Sequence, residues 1–330
     1  MITPDAVLST QAEDFATRVD PYRRELLGYA YRMLGSLDDA EDVVQETLLR
    51  AWRSYDGFAG RASLRTWLYR IATNACLRAI ERVGRRPLPA DLAGGGAAAA
   101  GRGATGVAND VLWLSPMPDA LLVEAPADPA AVVVGRASVR LAFIAALQHL
   151  PARQRAALIL CDVLAWPAAD VARLLDLTTA GVTSALQRAR VRLAEVAPTE
   201  EAVAEPGGAA ERQQVRRYVT AFENADIDAL VRLLRRDIVW EMPPNPQWYG
   251  GVPAVRDFVA SAVLGAAGSW RMLPVRANGQ PAFAAYLRDA GGVYRAHGIQ
   301  VLTIAGDGIT RITTFIDAEL FARFGLPSQQ

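Results

Sequence analysis

Near the middle of the chain the sequence reads Pro167-Ala168-Ala169-Asp170-Val171-Ala172-Arg173-Leu174-Leu175-Asp176-Leu177-Thr178-Thr179-Ala180-Gly181-Val182-Thr183-Ser184-Ala185-Leu186-Gln187-Arg188-Ala189-Arg190-Val191-Arg192-Leu193. Two helical patterns, Pro167 to Leu175 and Thr179 to Leu193, are separated by the turn Asp176-Leu177-Thr178, the spacing of a helix-turn-helix. At helical period Val182, Leu186 and Ala189 face inward, and Thr183, Ser184, Gln187, Arg188 and Arg190 face outward. Gln and Arg pair bidentately with base edges, and Ser and Thr bond bases or phosphates. An ordinary helical hairpin with a solvated Arg-rich face would carry the same pattern. Upstream, Val139, Phe143, Ala146, Leu147 and Leu150 form one stripe, and Pro151 opens a further helix over Ala152 to Val163. Residues 136–197 are expected to form one helical DNA-binding module.

A second helical module is expected over residues 1–86. Ala40, Val43, Val44, Thr47, Leu48, Ala51 and Trp52 recur at helical spacing, as do Leu64, Leu68, Ile71, Ala72, Ala75 and Cys76. A third helix through Leu26, Ala30, Met33 and Leu34 ends near Gly35. Arg70, Asn74 and Arg78 lie four residues apart and share one face. Phe58, Arg61, Ser63 and Trp67 precede or open that helix. Arginine interleaved with aromatic rings suits unstacked single-stranded DNA. From Asp38 to Glu46 there are five acids and no base. The helix dipole accounts for acids in a first turn. Yet this stretch would repel DNA, which points to a basic protein partner.

Between the modules, residues 87–135 carry Gly94-Gly95-Gly96, an alanine run and six prolines. That composition cannot bury a core and reads as a flexible linker. One apolar island, Val111 to Pro118, interrupts it, and Trp113, Leu114, Pro116 and Pro118 should have somewhere to dock. After an acidic Pro/Gly break, residues 211–327 begin with helical stripes and turn to strand patterns. Val293 to Ile304 and Ile309 to Ile316 read as strands of a hairpin. The result is an α+β domain with a mostly antiparallel sheet.

Composition narrows the classes. At 330 residues the chain suggests two or three domains. Apolar residues make up 52% and charged residues 21%, which suits a soluble globular protein. No apolar run approaches the ~20 residues needed to span a bilayer, and Met1 to Asp20 does not read as a signal peptide. With only Cys76 and Cys161, neither a disulfide framework nor a Cys-rich zinc site is expected, and a reduced cytoplasm is the expected location. His149 and His297 lie far apart, so no metal site or cofactor is expected. Thirty-five basic and 35 acidic side chains cancel, but every base is Arg and the signs are segregated. A basic block beside an acidic helix suggests two different partners.

Two runs together resemble a bacterial sigma factor of the extracytoplasmic-function class. Leu37 to Thr47 followed by Phe58 to Asn74 is similar to sigma region two. Leu150-Pro151-Ala152-Arg153-Gln154-Arg155 leading into the helix-turn-helix is similar to region four. The resemblance implies that Asp39, Glu41, Asp42, Gln45 and Glu46 dock on core RNA polymerase. It implies that Phe58 to Asn74, with Arg78, open and hold the minus-ten promoter element. The helix Thr179 to Leu193 would read the minus-thirty-five element. Two positions depart from the pattern: Arg78 stands where many relatives have an acid, and Asp176 where Gly is usual.

Residues 211–327 resemble a SnoaL-like cone, through Tyr218 to Leu230, Tyr249-Gly250-Gly251 and the final strands. The family's cone and the Trp113 to Pro118 motif would regulate the sigma core, through contact between cone, linker and region two. Cones also bind small molecules. Trp240, Met242, Tyr249 and Trp270 are candidate lining residues for an unidentified ligand, as are Tyr286, His297 and Phe315. Asp317 and His297 form an acid/base pair only if they meet in space. The expectation is a multidomain, non-enzymatic factor that acts with core RNA polymerase and promoter DNA. The alternatives are a polymerase-independent helix-turn-helix regulator with a ligand-sensing cone, and a cone enzyme with a DNA-binding appendage.

Overall fold

The computed structural model describes residues 13–58, 63–92, 111–122, 137–196, 208–306 and 308–330. Arg61 and the Gly94 to Ala100 run lie outside them. The chain divides into two compact units. The first comprises Met1–Arg86 with Ala120–Ala197, and the second Pro87–Asp119 with Pro198–Gln330.

The first unit is all-helical. A helix over 13–19 leads into α1 (Arg23–Leu34), α2 (Leu37–Arg53) and α3 (Leu64–Val83). Gly35 ends α1 at φ 70°, and one residue later the Ser36 side chain caps α2 by accepting the Asp39 N–H at 3.2 Å. A left-handed residue followed at once by an N-cap reverses the chain within two residues. Leu26, Tyr29 and Met33 of α1 then bury against Val43 and Leu48 of α2 and Leu68, Ala72 and Cys76 of α3. Trp52 is half-buried, with its ring 5.3 Å from Phe15.

The same unit contains α4 (Leu141–Leu147), α5 (Ala152–Leu158, continued by a π-turn Ile159–Val163), α6 (Ala168–Leu175) and α7 (Thr179–Val196). Asp176 ends α6 in the left-handed conformation at φ 54°. Asp is among the few residues that visit this region readily, so it replaces glycine at modest cost. Thr178 then accepts the Gly181 N–H at 3.0 Å and starts α7. Val182, Leu186 and Ala189 are buried, as their period requires.

The second unit is α+β. Helices α8 (Ala209–Glu223) and α9 (Ile227–Val231) precede β1 (Leu234–Met242) and β2 (Asn245–Gly250). Then come α10 (Val252–Phe258), β3 (Trp270–Ala277), β4 (Gln280–Arg288), β5 (Tyr294–Ala305), β6 (Gly308–Phe315) and α11 (Leu320–Arg323). The six-stranded sheet runs β2-β1-β6-β5-β4-β3, with β1 and β6 parallel and all other pairs antiparallel. Helices α8 and α10 cover one face, where Tyr218, Phe222, Trp240, Met242, Trp270 and Phe283 belong to the core. Among the described residues, no helix is long and apolar enough to cross a membrane.

Candidate nucleic-acid interface

Helix α7 presents Thr183, Gln187, Arg188 and Arg190 exposed and Ser184 half-buried, opposite its buried seam. Arg188 Nη1 donates to Ser184 Oγ at 2.6 Å, one turn back along the helix. Arg190 is held differently: its Nε and Nη2 fork onto the Asp162 carboxylate at 2.9 and 2.7 Å. A bidentate pair fixes a guanidinium in one direction. Of the five expected readers, Gln187 therefore stands freest, whereas Thr183 Oγ1 donates to the Thr179 carbonyl at 3.1 Å and Arg190 is tethered to the end of the π-turn.

On α3 the exposed Arg70, Asn74 and Arg78 occupy one face. Trp67 stacks on Phe58 with centroids 4.8 Å apart, and both rings are half-buried. Ser63 is the N-cap of α3, accepting the Thr66 N–H at 3.1 Å, so its hydroxyl first serves the helix. Beneath the face Glu25 accepts hydrogen bonds from Arg65 Nε at 2.7 Å and from the Tyr69 hydroxyl at 2.8 Å. That network locks the rotamers at the base of the basic face.

The two helical modules meet within the first unit, a contact that sequence reasoning did not foresee. Trp166, at the start of the helix-turn-helix, packs on Tyr69 with centroids 4.9 Å apart, and the Arg65 guanidinium lies 5.0 Å above its ring. Asp176, in the turn, lies 3.6 Å from Arg70. Arg155 is 2% exposed. Its Nη1 donates to the Met33 carbonyl at the end of α1 and, at 2.8 Å, to Gln148 Oε1. Its Nη2 donates to the carbonyls of Gln148 and Leu150 at 3.2 and 3.1 Å. Burial pushes this guanidinium down to about 10, still charged at neutral pH. Arg32, likewise buried, donates to Ser138 Oγ at 2.9 Å. Nothing in the Arg153-Gln154-Arg155 run marks its last arginine as the one that is buried at this junction.

Along α2 the acids divide into two sets. Asp39 is paired with the buried Arg86, and Glu46 with Arg50 at 2.5 Å and Arg78 at 3.5 Å. The Arg78 departure thus has a partner one helix away. Glu41 is half-buried, and Asp42 and Gln45 are exposed. With Asp38 and Leu49 they make a strip at helical spacing. Leu49, 51% exposed, is an apolar member that sequence reasoning passed over.

The Val111 to Pro118 island is embedded in the cone. Leu114, Pro116, Met117 and Pro118 are buried and Trp113 half-buried. The Met117 N–H donates to Asn278 Oδ1 and the Asn278 N–H to the Met117 carbonyl, both at 2.9 Å. Asp119 accepts from the Gly279 N–H at 2.7 Å and from Arg276 Nε at 3.2 Å. The start of the linker is held as well. Pro87, Leu88 and Pro89 are buried, and the Ala90 N–H donates to Glu241 Oε2 at 3.1 Å. Glu241, fully buried, also accepts from Arg311 at 2.7 Å and from Thr313 at 3.0 Å. The Leu114 N–H joins the two ends through the Pro87 carbonyl at 3.2 Å.

The cone residues expected to line one pocket fall on both faces of the sheet. Trp240, Met242 and Trp270 fill the helix-covered core, where Phe222 lies 6.4 Å from Trp240 and 5.6 Å from Trp270. Tyr249 stacks on Phe258 at 3.9 Å, and His297 meets the Trp270 ring edge-on at 5.0 Å. Burial pushes His297 below the usual histidine value. Tyr286 pairs in register with Arg271, opposite to the Trp270 and Met272 side, and its ring packs on Phe321 at 4.9 Å. Phe315, paired with Ile299, is also outside the main core cluster. Asp317 is exposed and accepts the Glu319 N–H at 2.8 Å. Among the described residues it makes no hydrogen bond or ion pair with His297.

Comparison with known proteins follows the same division. The profile for Sigma-70 region 2 matches residues 18–86, that for Sigma-70 region 4 matches 140–193, and that for the SnoaL-like domain matches 215–312. The chain is 48% identical over 316 residues to the ECF RNA polymerase sigma factor SigG of Mycobacterium tuberculosis, covering 95% of this chain and 84% of that protein. It is 32% identical over 245 residues to SigJ of the same organism, covering 74% and 70%. The crystal structure of Mycobacterium tuberculosis SigJ superposes with a TM-score of 0.62 at 22% identity, covering 94% of this chain and all of that one. That likeness is one of fold.

Proposed function

The chain belongs to the extracytoplasmic-function RNA polymerase sigma factors, and from that membership we propose how its surfaces divide the work of transcription initiation. The exposed strip of α2, with Asp42 and Gln45 at its centre and Asp39, Glu41 and Glu46 around it, engages core polymerase. The face of α3, with Phe58, Trp67, Arg70, Asn74 and Arg78, opens and holds the minus-ten element. Helix α7 enters the major groove at the minus-thirty-five element, with Gln187 and Arg188 on base edges and Thr183, Ser184 and Arg190 on bases or backbone. The factor itself catalyses nothing; polymerase supplies the chemistry. The observation that carries this division is that one chain holds a groove-filling helix, a basic face with paired aromatics and a separate acidic strip. A polymerase-independent regulator would leave the acidic strip without a use.

The cone is read as a fused regulator acting through the linker. Support comes from the two-point clasp at Asn278 and Glu241. The linker connects the two DNA-reading modules, so whatever holds it acts on both. The cone's core is filled by aromatic packing, which favours regulation over turnover. In-vitro transcription with purified core polymerase tests the reading, comparing the full chain with a chain ending at Pro198. Initiation from a specific start site that requires this protein is expected, with output that differs between the two chains. No binding to core polymerase by either would overturn the division of surfaces, and identical output would overturn the regulatory role of the cone.

A further inference from the structure

On the outer side of the cone, away from the packed core, a cleft of about 620 Å³ lies between α8 and α9. Its volume is within the range of small-molecule sites, ~300–1,000 Å³. Gln213, Arg216, Arg217, Thr220 and Asn224 form one wall. Their spacing of three or four residues follows the polar face of α8, opposite the face that buries Tyr218 and Phe222. Arg232, at the end of α9, closes the other side, and Ala221, Ala229 and Leu233 supply an apolar floor.

Charge is what distinguishes this cleft. Arg216, Arg217 and Arg232 are exposed, and among the described residues their side chains make no ion pair or hydrogen bond. The nearby acids are all engaged. Asp226, the one acid on the wall, accepts the Ala229 N–H at 2.8 Å as the N-cap of α9. Asp228 holds Arg256 at 2.7 Å, Glu223 accepts the Met272 N–H at 2.9 Å, and the buried Glu211 faces Arg276 at 3.4 Å. Three guanidinium groups therefore converge on a concavity with little opposing charge. Guanidinium forks match phosphate oxygens in geometry as well as sign. The apolar floor offers a place for the uncharged body of a ligand, which a bare phosphate backbone would not use.

We propose that this cleft binds a phosphorylated small molecule of nucleotide size, its phosphates on Arg216, Arg217 and Arg232 and its body on the Ala221–Leu233 floor. The site is separate from the interior expected of a cone, and the proposal stands whether or not the cone regulates initiation.

Titration calorimetry of the full chain with ATP, GTP and inorganic pyrophosphate tests it, beside a short duplex DNA of arbitrary sequence. Saturable one-to-one binding of a nucleotide is expected. Arg216→Gln and Arg232→Gln should each weaken it about tenfold or more, since each removes a charge-assisted contact. Arg217→Lys, which keeps the charge and loses the fork, should weaken it less. Arg82→Gln, exposed in the first unit and far from the cleft in sequence, should leave it unchanged. These side chains are exposed, so an unaltered melting temperature without ligand confirms folding. Pyrophosphate binding as tight as that of nucleotides would keep the phosphate site and overturn the role of the floor. Absence of saturable binding, or binding indifferent to all three arginines, overturns the proposal. Duplex binding that needs these arginines with no nucleotide binding overturns it in favour of a DNA-backbone contact.

Discussion

Trp166→Ala should separate the two DNA-reading modules in the free protein. Trp166 is 7% exposed, and its ring lies between the helix-turn-helix and the base of the α3 face. It forms a ring pair with Tyr69 at 4.9 Å and sits under Arg65 at 5.0 Å. A ring pair contributes ~0.5–1.5 kcal/mol beyond burial. A cation over a ring contributes ~0.5–1 kcal/mol at an exposed site. Their sum, about 1–2.5 kcal/mol, is a shift of ~5- to 70-fold in the docking equilibrium before any loss of burial is added. The neighbouring Arg70–Asp176 pair adds little, because both side chains are more than half exposed. Energy transfer between labels at the exposed Arg82 and Arg192 reads the separation, in a Cys161→Ser background with Cys76 buried. A longer mean distance in Trp166→Ala, and an intermediate one in Trp166→Phe, is expected. Single-stranded minus-ten DNA should bind the free variant more tightly by a similar factor. An unchanged distance in a folded variant would refute the reasoning. A lowered melting temperature with the modules still together would make Trp166 a core residue of region four and nothing more.

Three further outcomes follow from the geometry. Asn278→Gly keeps the positive φ of 57° and removes the amide that receives the Met117 N–H, so it should loosen the clasp by ~1–3 kcal/mol and speed proteolysis near Met117; cleavage at the parent rate would mean that the clasp draws on other contacts. Asp176→Gly relieves the left-handed strain and should raise the melting temperature of the first unit slightly, whereas Asp176→Val should lower it by ~1 kcal/mol or more in stability, read by chemical denaturation. His297 is held below its ordinary value by burial, so the folded cone binds fewer protons than the unfolded chain just below ~6.5. Its stability should therefore fall as pH drops through that value and level off below the folded value, a slope that His297→Gln should flatten between pH ~7.5 and ~5.5.

Local periodicity carried the reading of the helical modules. The seam Val182, Leu186, Ala189 and the Asp176 turn depend only on neighbours in sequence, and both stand as read. The β5–β6 hairpin was legible for the same reason. The cone residues were not, because a strand's facing is a matter of register. Phe283 and Ala285 on β4 belong to the core, so Tyr286 falls on the other face by simple alternation, in unbroken register with Arg271. Grouping the aromatics into one pocket passed over this period of two, and which face is covered is set by helices distant in sequence. The Trp113 island was legible as a docking segment, but its seat on Asn278 pairs residues 161 apart. Docking of the two modules was likewise invisible, since Trp166, Arg155 and Asp176 each look complete within their own module.

Docking and clasping both involve the stretch of chain between the two helical modules. Arg70 of the region-two module and Asp176 of the region-four module are 3.6 Å apart. The connection between modules is the linker, part of which the cone holds from Pro87 to Ala90 and again from Leu114 to Asp119. The segment joining the two helical modules is thus held by the cone near both of its described stretches, at Glu241 and at Asn278.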